Sequence, residues 1–185
     1  MITQEDRDRL AQFVGRYGVK HVRVYPHPID CVWKAVTEPR SLAAWYVPQW
    51  TIEPRLGGAW SCSYANPTLE GMEGYDQGFG HGVITAWEPP RLVDYGGQHR
   101  LGVGEGGGGP RLTWIQQFDP ALSFPRLEAT LPDGNPGGRG YPMFPGGQAG
   151  NHLAADDLAD FLAGQPIFRG AGRQRLVGLT KIYHD

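Results

Sequence analysis

The sequence predicts an α+β fold: one strand, two short helices, a run of antiparallel strands and a closing helix. Three features point to it. In the stretch HPIDCVWKAVTEPRSLAAWY (27–46), Ile29, Val32, Trp33 and Val36 recur at helical spacing, with Asp30 and Lys34 on the other side. Thr37 to Pro39 breaks this helix, because the residue before a proline is pushed out of the helical region; Leu42 and Trp45 then begin a second apolar stripe. The run VKHVRVY before the pair alternates like a strand, and the segments after it alternate until 150–163, where helical spacing returns.

Length and composition narrow the classes. The 185 residues suit a single domain with a sizeable core. A formal charge of −2 without a basic run argues against a nucleic-acid surface. No apolar run approaches the ~20 residues of a membrane span. The opening MITQEDRDRL is polar and acidic, unlike a secretory signal, so the expected location is cytoplasmic. Cys31 and Cys62 make neither a disulfide framework nor a metal set. The 28 glycines and 16 prolines predict long irregular loops, while the aromatic content lifts the chain above disorder composition.

Taken in order, residues 3–17 read as an amphipathic helix. Thr3 and Asp6 resemble a capping box, and Leu10, Phe13, Val14 and Tyr17 form a stripe that ends at Gly18. This makes 1–18 an N-terminal helical extension, with an apolar stripe that leaves a homodimer open, before one domain at 19–185. The first strand, 20–25, places Val22 and Val24 on one face. A hairpin follows at 50–55 and 59–64, turning at Leu56-Gly57-Gly58, with Ile52, Trp60, Cys62 and Tyr64 able to face a core. After a loop at 65–78 come strands at 79–88 and 91–95, then a hairpin at 99–103 and 111–119 whose Leu112, Trp114, Gln116 and Phe118 share a face. Residues 120–148 form a Pro/Gly-rich insertion, 150–163 a helix, and LVGLTKIYHD a short strand or turn.

Several chemistries fall away. His21, His27, His81, His99, His152 and His184 are scattered without metal-ligand spacing, so no metal is expected. The glycine run at 102–107 matches G-x-G-x-x-G but precedes Pro110 and a strand, not the helix N-terminus a dinucleotide needs; no cofactor is expected. No Gly-x-Ser-x-Gly elbow is present, and both cysteines read as core residues. What remains is acid–base or hydrogen-bonding chemistry in an aromatic setting. His81 lies between two glycines that leave backbone room for a ligand, or is a surface histidine. His99 points inward if it shares the face of Leu101 and Val103, and otherwise lies at a rim. Tyr64 and Tyr95 offer hydroxyls to a cavity, or pack with those groups satisfied. A buried Gln116 needs a partner, for which a ligand is one candidate. Asn151 reads as an N-cap, His152 as solvent-facing, and Asp156 with Asp157 as a solvated helix face. Of Trp45, Trp50, Trp60, Trp87 and Trp114, most are core, with a few left to line a pocket.

The segments VYPHPIDCVWKAVTEPRSLAAW, RLGGAW, GHGVITAWEPPRLVDY, GGGGPRLTWIQQF and AGNHLAADDLADFLAG resemble the activator-of-Hsp90-ATPase-homologue-like (AHSA1-like) branch of the START/SRPBCC superfamily, over about residues 20–164. The resemblance implies a helix-grip (START/Bet v 1-like) fold, a curved antiparallel sheet wrapped around the C-terminal helix with a deep cavity between them. Members include ligand carriers, polyketide cyclases and aromatases, lyases and co-chaperone-like proteins. Two positions depart from the family: Gly150-Asn151 stands for a common Gly-Trp pair, and Ala155 for a bulkier residue. Both changes remove volume and add polarity at the cavity edge, where the 120–148 insertion is placed as a lid. The expectation is a protein that binds a hydrophobic, aromatic or polyketide-like small molecule. Cofactor-free cyclisation, dehydration or elimination would use His81, His99, Tyr64 and Tyr95, with Trp45, Trp60, Trp114, Gln116, Asn151 and Ala155 lining the cavity. The alternatives are a non-catalytic carrier or sensor and a chaperone-interaction module.

Overall fold

A computed structural model describes residues 2–14, 18–63, 80–117, 145–167 and 173–184. The helix pair is α2 (Ile29–Thr37) and α3 (Pro39–Trp45), separated by Glu38, which is extended at φ −87° and ψ 127°. Pro39 enforces that break and then occupies the first turn of α3, where its missing N–H costs nothing. Val32, Trp33, Ala35 and Val36 are buried, and Trp45 Nε1 donates to the Ala35 carbonyl at 2.9 Å, which fixes the angle between the two helices.

The strands are β1 (Gln12–Val14), β2 (Gly18–Val24), β3 (Gln49–Ile52), β4 (Ala59–Ser63), β5 (Gly80–Val83), β6 (Ala86–Glu88), β7 (Leu92–Tyr95), β8 (His99–Gly104) and β9 (Arg111–Gln117). They form a six-stranded antiparallel sheet ordered β1-β2-β9-β8-β7-β6 and a three-stranded one ordered β3-β4-β5. The single strand expected at 79–88 is therefore two strands in different sheets. Ile84 exchanges bonds with Gly57 and Gly58, and Thr85 N–H donates to the Asp94 carbonyl, so the chain turns a corner there. Register places Val19, Gln116, His99 and Tyr95 in one cross-strand row and His21, Trp114, Leu101 and Val93 in the next, all buried. Helix α4 (Pro145–Leu162) packs across β2, α2 and α3, with Ala154, Ala155 and Leu158 buried.

Both ends of the chain differ from expectation. The capping box forms, with Thr3 Oγ1 accepting from Asp6 N and the Asp6 carboxylate accepting from Thr3 N. The helix it starts, α1 (Gln4–Asp8), stops after five residues. Residues 12–14 instead pair with β2, because an open strand edge offers backbone bonds to a segment containing Phe13 and Val14. The helical stripe that left a homodimer open is thus not formed. Val22 and Val24 share a face as expected, but the outer one, 37% and 45% exposed. The tail is not a strand or turn but helix α5 (Arg173–His184), which lies on α4 and buries Leu179. The last long helix begins at Pro145, so 145–148 belong to it; residues 120–144 of the expected insertion, and 118–119 of the strand before it, lie outside the described residues. Cys31 is exposed, and only Cys62 is a core residue.

The inner face of β2 explains the inversion. It carries His21 and Arg23 into a polar joint where α1, α4 and α5 meet. Arg175 bonds the carboxylates of both Asp6 and Asp156, and Arg23 Nε lies 3.6 Å from Asp156 Oδ1. Tyr183 Oη accepts from Ala11 N–H at 2.9 Å and lies 3.2 Å from His152 Nδ1. Gly178 lets α5 approach closely, since an added Cβ would sit 2.7 Å from Ile2 Cγ1. Burial opposes ionisation of Asp6, yet the Arg175 guanidinium and the Thr3 donors hold its carboxyl well below the usual range. Burial, then the Arg23 charge, pushes His21 down to about 3; burial with the nearby arginines also lowers His152.

Because these histidines are harder to protonate folded than unfolded, the unfolded chain takes up their protons first, from about pH 6.5 downward. Their contribution is complete above that pH and lost as pH falls toward the folded values. Urea titrations should show stability declining between pH 6.5 and 4 by up to about 1.4 kcal/mol per pH unit for each such histidine. His21→Phe should make the decline shallower.

Candidate functional site

The middle of the large sheet, the two helices before it and α4 converge on one buried polar strip. Pairing of β7, β8 and β9 sets Tyr95 opposite His99 and His99 opposite Gln116. The end of α3 brings Trp45 and Tyr46, stacked at 5.4 Å between ring centroids. The small sheet supplies Trp50 and Trp60, stacked at 6.1 Å, with Tyr95 packed edge-on to Trp60 at 5.4 Å. Around His99 stand Tyr46 and Trp114, each 5.9 Å away, and Trp60 at 6.5 Å. Asn151 closes the strip from α4 and is buried.

Hydrogen bonding fixes the polar groups. Trp114 Nε1 donates to His99 Nδ1 at 3.2 Å. An indole nitrogen only donates, so Nδ1 must accept and the imidazole proton sits on Nε2. His99 is 4% exposed, and burial pushes its pKa down to about 4 against the opposing charge of Asp94. Beside it, Tyr46 Oη donates to Asn151 Oδ1 at 3.2 Å, and Asn151 Nδ2 donates in turn to Gln116 Oε1. Both amides are thereby oriented, with the Gln116 NH2 group at the end of the chain. The strip is neutral and presents N–H donors; with Nδ1 occupied, His99 is poorly placed to take a proton.

Of the residues singled out by sequence, His99, Tyr95, Trp45, Trp60, Trp114, Gln116 and Asn151 come together here; Ala155 is buried one turn further along α4. Their roles differ from expectation in places. The Tyr95 hydroxyl donates to the Val36 carbonyl at 3.1 Å, and burial pushes its pKa up, so it is a structural group. The Ala155 carbonyl accepts from Tyr25 Oη at 2.8 Å. Tyr64 lies outside the described residues. His81 is exposed: Gly80 and Gly82 face inward beneath the Trp60 ring, which takes the space those glycines provide. Nor is Asn151 an N-cap, because α4 begins at Pro145; it lies inside the helix. His152 is fully buried and Asp156 is ion-paired in the polar joint, not on a solvated face. Tyr46 was missed by sequence reading; its position next to Trp45, at the end of an apolar stripe, was the available signal. In the joint itself, Asp6, His152 and Asp156 hold donor atoms within 4.8 Å of one another, but Arg175 already bridges both carboxylates as a fixed cation.

A family model described as activator of Hsp90 ATPase homolog 1-like protein matches residues 26–162. The chain belongs to that family. Its membership supports a ligand-binding domain, and the α+β helix-grip architecture agrees with it. Among solved structures, CalU16 from Micromonospora echinospora is 18% identical, with 94% of this chain and 92% of that one covered and a TM-score of 0.52. EF2215 from Enterococcus faecalis, a conserved protein of unknown function, is 12% identical over 97% and 91%, with a TM-score of 0.59. NE0264 from Nitrosomonas europaea is 16% identical over 82% and 97%, with a TM-score of 0.55. At such identities the likeness concerns the fold. No curated protein matches the sequence. Among the described residues, no helix is long and apolar enough to cross a membrane.

The seat of Trp60 is directly testable. A Cβ on Gly80 would lie 2.9 Å from Trp60 Cη2, so Gly80→Val should destabilise the fold by about 1–3 kcal/mol in thermal or urea unfolding. His81→Ala, one residue away on the outer face, should stay within about 0.5 kcal/mol of the parent.

Proposed function

We propose that this chain binds a hydrophobic, ring-bearing or polyketide-like small molecule between the inner face of β7-β8-β9 and α4, without a cofactor. The observation that carries the reading is the convergence of Tyr46, Trp50, Trp60 and Trp114 on a buried, neutral, hydrogen-bonded strip of His99, Gln116 and Asn151. Aromatic walls hold a flat ligand at low cost in side-chain entropy, and a few fixed polar groups set its orientation.

Holding a ligand fits the geometry better than moving its protons. His81 is exposed, the Tyr95 hydroxyl is committed to a backbone carbonyl, and Nδ1 of His99 is occupied by Trp114. A carrier or sensor therefore comes first. A cyclisation, dehydration or elimination enzyme comes second, favoured by one feature: a neutral imidazole N–H can polarise a substrate oxygen as charge develops on it.

Native mass spectrometry of the protein isolated from its own host should show a bound compound on the order of a few hundred daltons, released by solvent extraction. Persistence of that compound unchanged on the protein supports the carrier, and its conversion on standing supports the enzyme. A protein that arrives empty and also binds no aromatic compound would remove the reading.

A further inference from the structure

We infer that the ligand bears an oxygen acceptor on an otherwise apolar aromatic skeleton, as in an aryl ketone or enol, and that His99 and Gln116 receive that oxygen through their N–H groups. This rests on the ligand-binding reading of the same site. His99 and Gln116 are directly opposed on β8 and β9, so their side chains leave the same face of the sheet side by side. The donor character of each is set by a neighbour. Trp114 fills His99 Nδ1 and leaves the proton on Nε2. Tyr46 orients Asn151, and the Asn151 amide holds Gln116 Oε1 toward α4, which turns the Gln116 NH2 group, with its two hydrogens, the other way.

Two hydrogen-bonding chains thus end side by side on donors, in a setting of indole and phenol rings. A ligand without an acceptor would strip water from these groups and return nothing, which is costly in a buried place. A cationic ligand would meet donors where it needs acceptors. Within this strip Trp114 and Asn151 act as positioning residues: they set which atoms of His99 and Gln116 face outward from their hydrogen bonds.

The test compares 2-acetylnaphthalene with 2-ethylnaphthalene, near-isosteres that differ in a carbonyl against a methylene, by titration of tryptophan fluorescence on the whole protein. Rings alone would favour the ethyl compound, because the ketone is better solvated by water. The donor pair predicts the reverse, with the ketone bound about fivefold or more tightly. In Gln116→Leu and His99→Phe the preference should shrink or invert while 2-ethylnaphthalene still binds. The first comparison needs no variant, so a misfolded substitution does not weaken it. Equal or tighter binding of 2-ethylnaphthalene by the parent protein overturns this inference and leaves the aromatic-ligand reading standing. Binding of neither compound overturns both.

Discussion

The bond from the Trp114 indole to His99 is the constraint on which the site depends. Trp114 sits in the cross-strand row next to that of His99, and its ring is packed edge-on by Trp45 and Tyr46. The indole therefore has little freedom, and its N–H falls on Nδ1 at 3.2 Å. One packing contact then decides a chemical property. Protonating His99 would force this hydrogen bond to break and place a charge among aromatic rings, and both effects hold the imidazole neutral. What would be a titrating group on the surface becomes a fixed donor here.

Helix α4 divides its labour between two polar regions. Asn151 faces the aromatic strip, while His152, the next residue, and Asp156, one turn later, face the joint with Asp6, Arg175 and Arg23. The joint ties both ends of the chain to the helix that closes the site. A buried ionic joint is a weaker source of stability than apolar packing of the same volume, because desolvation offsets much of the attraction. Its directional bonds nevertheless specify one arrangement of α1, α4 and α5, and so fix where Asn151 meets Gln116.

Much of this architecture was legible in the chain. The helix pair around Pro39, the β8–β9 hairpin and the inward face of Leu112, Trp114 and Gln116 followed from periodicity and breakers, since each reports a purely local preference. The termini were less legible for a physical reason. Residues 10–14 fit a helical stripe and an edge strand equally well, and the open edge of β2 decides between them. Arg23 lies inside because Asp156, distant in sequence, receives it, and His21 packs against the Trp114 and His152 rings, which alternation along one strand cannot show. The helical spacing of Leu176, Leu179 and Tyr183 was readable but masked by a short, mixed sequence. In the site, Trp45, Trp114, Gln116 and Asn151 were found by residue type. Which donor met which acceptor was not, because that depends on sub-ångström placement across four elements.

The protonation state of His99 tests the account most directly. Two-dimensional nitrogen–proton correlation of the imidazoles should show His99 neutral with its proton on Nε2 from pH 8 down to about pH 5. A His99 that titrates near the ordinary value of about 6.5, or that carries its proton on Nδ1, would contradict the Trp114 bond and with it the fixed-donor view of the site.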